Sequence, residues 1–319
     1  MNTHSTRRRH LLKTMTALGA AATLAPALKL SSAFAAEAAP YNPAARFELD
    51  VFDVEFRRNQ AGRQLLARVY KPIGTGPFPV VLDLHGGGWN RRDRTAEEPM
   101  DRAIAASGVL VVAIDQTRAP EAPYPADVQD ANYGVRWLKW RAESWNGDAS
   151  RLGIFASSSG GHVAELLGLR PHDPRYNAIE LPQAPALDAT VAYIAARSPV
   201  SNTFARYENA VSRNNEGMVL NNTTYFVPWE TIHEANPQEI LDRGEDVTLV
   251  PLLIMQGALD DNVLPEVQQK FAETYNAAGG QCQFEVFADS PHRWTEEESA
   301  QTDNAREMVR QFIARQLGS

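Results

Sequence analysis

The sequence contains one cysteine, Cys282, so no internal disulfide can form, and a lone thiol does not make a metal site. Cys282 is read as a small core residue in a strand. Long hydrophobic runs are also missing. The Ala-rich stretch from Met15 to Leu28 is interrupted by Pro26 and closed by Lys29, short of the ~20 apolar residues that a membrane span needs. Basic charge is in the minority: 31 Lys and Arg stand against 39 Asp and Glu, for a formal net charge of −8. Residues 1–35 hold Arg7, Arg8, Arg9, Lys13 and Lys29 and no acid, so removing these five cations takes the charge from −8 to −13. An acidic protein of this kind is a poor partner for nucleic acid or an anionic membrane surface. The histidines beyond residue 35, at 85, 162, 172, 233 and 292, lack the close spacing of metal ligands, such as two placed four apart on one helix face. No metal and no cofactor is expected.

What is present begins with an address. Thr6-Arg7-Arg8-Arg9-His10-Leu11-Leu12-Lys13 resembles a twin-arginine export signal, with Arg8-Arg9 as the pair. A weakly apolar segment follows, then the small-x-small cleavage site Ala33-Phe34-Ala35. Residues 1–35 are therefore expected to be an export signal read by the twin-arginine machinery. The mature protein is expected to be periplasmic or secreted, without a membrane anchor.

Residues 36–319 read as one α/β domain. Two alternating stretches, Phe47–Phe56 and Leu65–Tyr70, flank Asn59-Gln60-Ala61-Gly62 and predict a hairpin. Val80–Leu84 and Val109–Ile114 are apolar runs suited to strands buried on both faces of a parallel sheet. Further strands are expected near Ala189–Ala195, Thr248–Gln256 and Gln281–Phe287, with helices near Glu97–Ala106, Ala126–Glu143 and Pro265–Ala278. Trp137, Trp140 and Trp145 are assigned to packing. Residues 197–246 show no strand alternation and mix polar with aromatic side chains, so they are read as a partly helical lid. Thr295-Glu296-Glu297-Glu298 reads as a capping box that starts the terminal helix.

Four motifs carry the chemistry. In Ala156-Ser157-Ser158-Ser159-Gly160 an apolar run meets small residues and then a helical pattern, the layout of a nucleophile elbow, with Ser158 flanked two positions away by Ala156 and Gly160. His85-Gly86-Gly87-Gly88-Trp89 ends a strand with glycines whose amides can turn into a common cavity, together with the amide of Ser159. Met255-Gln256-Gly257-Ala258-Leu259-Asp260-Asp261 puts carboxylates at a strand tip, with Asp260 the choice for orienting a histidine and Asp261 the rival. Ala288-Asp289-Ser290-Pro291-His292 places a histidine after the last strand, and an imidazole near pKa ~6.5 can relay a serine's proton.

The order Ser158, Asp260, His292, with Ala119-Pro120-Glu121-Ala122-Pro123-Tyr124-Pro125 and Ser158-Ser159-Gly160-Gly161-His162, resembles the α/β-hydrolases. From about residue 47 to 317 the chain is similar to the esterase/lipase group of hormone-sensitive-lipase-like and acetylesterase-like enzymes. The resemblance implies a mostly parallel central sheet with helices on both faces and a lid-like insertion. It also implies Ser158 as nucleophile, His292 as general base, Asp260 as its orienter, oxyanion amides from Gly87, Gly88 and Ser159, and His162 as a helix-packing residue. Two positions depart from the pattern: Ala156 replaces the first glycine of the elbow, and Ser157 replaces the acid common before the nucleophile. The expected activity is hydrolysis of small or medium carboxylic esters, with a pocket lined by Trp89, Trp294 and Trp229. Against that lining stands the possibility that Tyr207, Phe226 and Trp229 only fill the lid's own small core. Amide hydrolysis of the peptidase or arylformamidase type is the alternative activity, and a catalytically silent binding protein the alternative class.

Overall fold

The computed structural model describes residues 40–318. The expected export signal, residues 1–35, lies outside the described residues. Eight strands form one sheet: β1 (Leu49–Arg58), β2 (Gln64–Pro72), β3 (Phe78–Leu84), β4 (Leu110–Ile114), β5 (Gly147–Ser157), β6 (Tyr193–Arg197), β7 (Leu252–Gly257) and β8 (Cys282–Phe287), in spatial order β1-β2-β4-β3-β5-β6-β7-β8. The β1–β2 hairpin and the β2–β4 pair are antiparallel, and every pair from β4 to β8 is parallel. Cys282 opens β8 and is half-buried.

Alternation along β3 divides the core. Val80, Leu82 and Leu84 enter one apolar layer with α2 (Ala126–Arg141), α3 (Ser158–Leu169) and α8 (Pro265–Ala277), while Val81 enters the other with α1 (Glu98–Ala105) and α9 (Ala300–Leu317). With both faces covered, the central strands bury nearly every side chain, so they read as continuous apolar runs. Trp137 and Trp145 pack edge to face, whereas Trp140 stays exposed. Between β6 and β7 lie four short helices, α4 (Thr203–Ser212), α5 (Glu216–Tyr225), α6 (Thr231–Glu234) and α7 (Pro237–Asp242). Asn202, Asn215 and Asn236 cap three of them by accepting a backbone N–H.

The terminal helix departs from expectation. It starts at Ala300, and its cap is Ser299, whose side chain accepts the Thr302 amide. The residues read as a capping box instead fold into a 3₁₀ turn, Trp294–Glu296, because Glu296 is drawn away into a two-pronged pair with Arg92 at 2.7 and 3.0 Å.

Candidate active site

Ser158 stands where β5 gives way to α3, with φ at +49°. A non-glycine residue held there costs on the order of 1–3 kcal/mol and persists only where the surroundings enforce it. Close packing of strand and helix does so: a Cβ on Gly160 would lie 2.0 Å from the Leu84 carbonyl oxygen. Ala156, in place of the elbow's first glycine, is accommodated fully buried, paired with Leu84 and Ala196 across the sheet.

Ser158 Oγ lies 2.9 Å from His292 Nε2, and His292 Nδ1 lies 2.7 Å from Asp260 Oδ2. The Asp260 carboxylate also accepts the Asn262 and Val263 amides at 3.0 and 2.9 Å and the Gln256 side-chain amide at 3.1 Å. Burial opposes its ionisation, but the His292 bond and charge and these amides outweigh burial and hold its pKa below the ordinary carboxylate value. Asp261 is elsewhere: its side chain is 70% exposed and pairs with Arg213. Burial pushes the His292 imidazole below its usual pKa against the pull of Asp260, and the Arg197 and Arg206 cations add to the downward push. At neutral pH the ring is thus an unprotonated base facing a serine hydroxyl.

The glycine loop meets Ser158 from β3. The Gly86 amide is taken by Ser157 Oγ at 3.0 Å, while the Gly87 and Gly88 amides find no acceptor among the described residues. Gly87 (φ 132°) and Gly88 (φ 62°) hold backbone angles that side chains resist, and a Cβ on Gly87 would meet the Arg91 carbonyl oxygen at 2.1 Å. Ser159 opens α3, so its amide is one of the first-turn N–H groups that a helix leaves free. These three amides are the free donors beside the serine.

Ser157 and two residues that the sequence did not single out, Glu97 and Arg197, tie the two loops together. Ser157, in place of the family's acid, donates to Glu97, and Arg197 donates to both Glu97 oxygens at 3.1 and 3.3 Å and to the His292 carbonyl at 2.6 Å. Glu97 and Arg197 are each 1% exposed. One buried ion pair therefore holds the glycine loop and the histidine loop at once. The partners lie 100 residues apart, so no local spacing could have announced the pair.

A cavity of about 750 Å³ opens over Ser158 and His292. Of the three tryptophans expected to line it, Trp294 does, stacked on Phe287 at 4.3 Å. Trp89 and Trp229 do not. Trp89 is buried beneath the glycine loop, stacked on Tyr225 at 4.6 Å, and its Nε1 donates to His162 Nδ1. Trp229 packs edge to face on Tyr207 at 4.7 Å inside the lid, and Phe226 is buried against Trp89. The lid's contribution to the cavity is Arg206 and Met218 instead. His162 donates Nε2–H to the Ala235 carbonyl at 2.7 Å, and burial lowers its pKa to about 4, so it is a neutral packing residue.

Residues 68–275, more than half of the chain, match the BD-FAE family. The chain belongs to the BD-FAE family. BD-FAE is an α/β-hydrolase family, in agreement with the sheet order and the elbow. Among curated proteins, the chain is 35% identical over 108 residues to carboxylesterase NlhH of Mycobacterium tuberculosis, covering 33% of this chain and 34% of that one. It is 28% identical over 237 residues to lipase 2 of Moraxella sp., covering 67% and 54%. The chain spans about a third of the length of the mycobacterial relatives it matches. Among solved structures, esterase B of Lactobacillus rhamnosis superposes with a TM-score of 0.71 at 18% identity over 85% of this chain and 86% of that one. Esterase LipW of Mycobacterium marinum does so at 0.66 and 22% identity, over 84% and 82%. At such identities the structures carry the fold of this BD-FAE member.

Proposed function

We propose that this protein is a serine hydrolase of carboxylic esters of small to medium size. The observation that carries the reading is the unbroken chain Ser158 Oγ, His292 Nε2 and Nδ1, Asp260 Oδ2, at 2.9 and 2.7 Å, on the floor of a cavity. The carboxylesterase relatives support it. Ser158 Oγ attacks the ester carbonyl carbon while His292 Nε2 takes its proton. The carbonyl oxygen becomes an oxyanion that the amides of Gly87, Gly88 and Ser159 stabilise. Asp260 holds the ring's orientation and steadies its positive charge. Collapse of the tetrahedral intermediate releases the alcohol with the proton from His292 and leaves an acyl-serine. Water, deprotonated by His292, then attacks the acyl carbon, frees the carboxylic acid and restores Ser158.

The test is a p-nitrophenyl ester series from acetate to palmitate, with a matched anilide, on the protein and its Ser158→Ala variant. Hydrolysis favouring short acyl chains and abolished by the substitution is expected. Activity that survives loss of Ser158 overturns the assignment, and anilide turnover exceeding ester turnover moves the enzyme to amide hydrolysis. The Arg8-Arg9 pair and the Ala33-Phe34-Ala35 site support export by the twin-arginine route. Periplasmic protein whose intact mass begins at Ala36 is the expected outcome; unprocessed protein confined to the cytoplasm contradicts it.

A further inference from the structure

Three of the arginines lining the cavity are paired with carboxylates: Arg92 and Arg293 share Glu296, and Arg197 pairs with Glu97. Arg206, delivered by α4 of the lid, is not. It is 6% exposed, its Nε donates to Asn262 Oδ1 at 2.9 Å, and its guanidinium lies over the Trp89 ring at 5.1 Å. Its Nη1 is buried with no acceptor among the described residues. Asp260 is close enough to be felt, but its oxygens are engaged by His292, Gln256 and the two amides. Asp261 is taken by Arg213. Burial brings the Arg206 pKa down to about 10, so the group remains a cation at neutral pH.

A second cation, Arg91, lines the same cavity, makes no ion pair among the described residues, and lies near enough to Arg206 to disfavour its charge further. The lining acids without an ion pair among the described residues, Asp289 and Glu297, are solvent-exposed, where water and salt screen them. A buried guanidinium with an idle N–H is costly unless an anion completes it. The planar guanidinium fork is suited to the oxygens of a carboxylate.

We infer that the substrate is an ester that also carries a free carboxylate, held by Arg206 and Arg91 while the ester carbonyl faces Ser158. The inference deepens the ester-hydrolase reading and rests on it. The anion enters as a counter-ion that the lid lacks, so Arg206 acts in substrate choice through binding.

Two matched pairs of substrates test it on either side of the ester bond. Mono-p-nitrophenyl succinate is compared with its methyl ester, and p-acetoxybenzoate with its methyl ester. The expected result is a kcat/KM preference for the anionic member of at least one pair of about tenfold, the worth of a charged hydrogen bond. The preference should sit mainly in KM, shrink with added NaCl, and fall toward unity in both Arg206→Gln and Arg91→Gln. Neutral members preferred in both pairs, or a preference that persists in both variants, overturns the inference. If Arg206→Gln does not fold, Arg91→Gln and Arg206→Lys, which keeps the charge but loses the fork, carry the same comparison.

Calorimetric binding of the anionic and neutral esters to Ser158→Ala separates the two levels. Arg206-dependent binding of the anion without any turnover by the intact protein sinks the hydrolase reading and keeps the anion site. Turnover of neutral esters with no anion preference in rate or binding does the reverse.

Discussion

Asp260 is fixed by backbone as much as by side chains: the Asn262 and Val263 amides hold one oxygen, leaving the other for His292. Replacing the carboxylate by an amide at this site offers His292 Nδ1 either a neutral acceptor or a repelling donor. Asp260→Asn is therefore expected to lower kcat on a p-nitrophenyl ester by about 10⁴-fold. Asp261→Asn, at a solvated pair with Arg213, is expected to change it by less than about threefold. Steady-state kinetics of both variants decide the matter, and equal losses would remove the distinction between the two carboxylates. At this scale the sequence was informative wherever chemistry is local. The elbow and the glycine loop are short strings whose residue types are dictated by close backbone approach, as the clash distances at Gly160 and Gly87 show. It was uninformative for Arg206 and Glu97, whose importance lies in partners 56 and 100 residues away.

Between elements, the site is held by ties that join loops of different strands. The glycine loop after β3 and the histidine loop after β8 share the Glu97–Arg197 pair, and Arg92 with Glu296 makes a second, less buried tie between the same two regions. Breaking a buried ion pair leaves one charge uncompensated, so the arrangement is stiff against separation of the loops. The lid shows how aromatic content can mislead. Tyr207 and Trp229 turn toward each other, because four short helices bury too little surface to stand without filling their own interior, while Phe226 anchors them on Trp89 beneath the glycine loop. Their side chains thus serve packing, and Arg206, a buried cation of α4, reaches the cavity. The acid run at residues 296–298 is a similar case. Its composition suits a helix start, but the ion pair of Glu296 with Arg92 competes for it, and Ser299 takes over the cap.

Across the whole molecule, the core carries carboxyls that the proposed reaction does not use. Burial raises the pKa of Glu165 to about 8 and that of Asp127 to about 7, with the hydrogen bonds from Ser201 and Tyr225 opposing the rise. A folded pKa above the unfolded value means that the native state keeps a proton which the unfolded chain releases. The resulting stability is present in full below the ordinary carboxyl range and drains away as pH rises through the folded pKa. For Glu165 that window runs from the ordinary glutamate value of 4.5 to about 8. Glu165→Gln keeps an acceptor for Ser201 and removes the titration, so the fall in Tm between about pH 5 and about pH 8 should be shallower in the variant. A parallel fall in both proteins, measured by thermal melts across that range, would show that Glu165 is ionised in the fold. By itself the sequence determined the α/β class, the strand tips that carry Ser158, Asp260 and His292, and the glycine loop. Each of these is written in a periodicity or a short spacing that backbone geometry imposes. Only the tertiary structure decided which aspartate meets the histidine, which aromatics face the cavity, and that a buried lid arginine lines the serine's cavity without an ion pair among the described residues. Those outcomes depend on side chains distant in sequence competing for the same partners, and no local pattern records who wins.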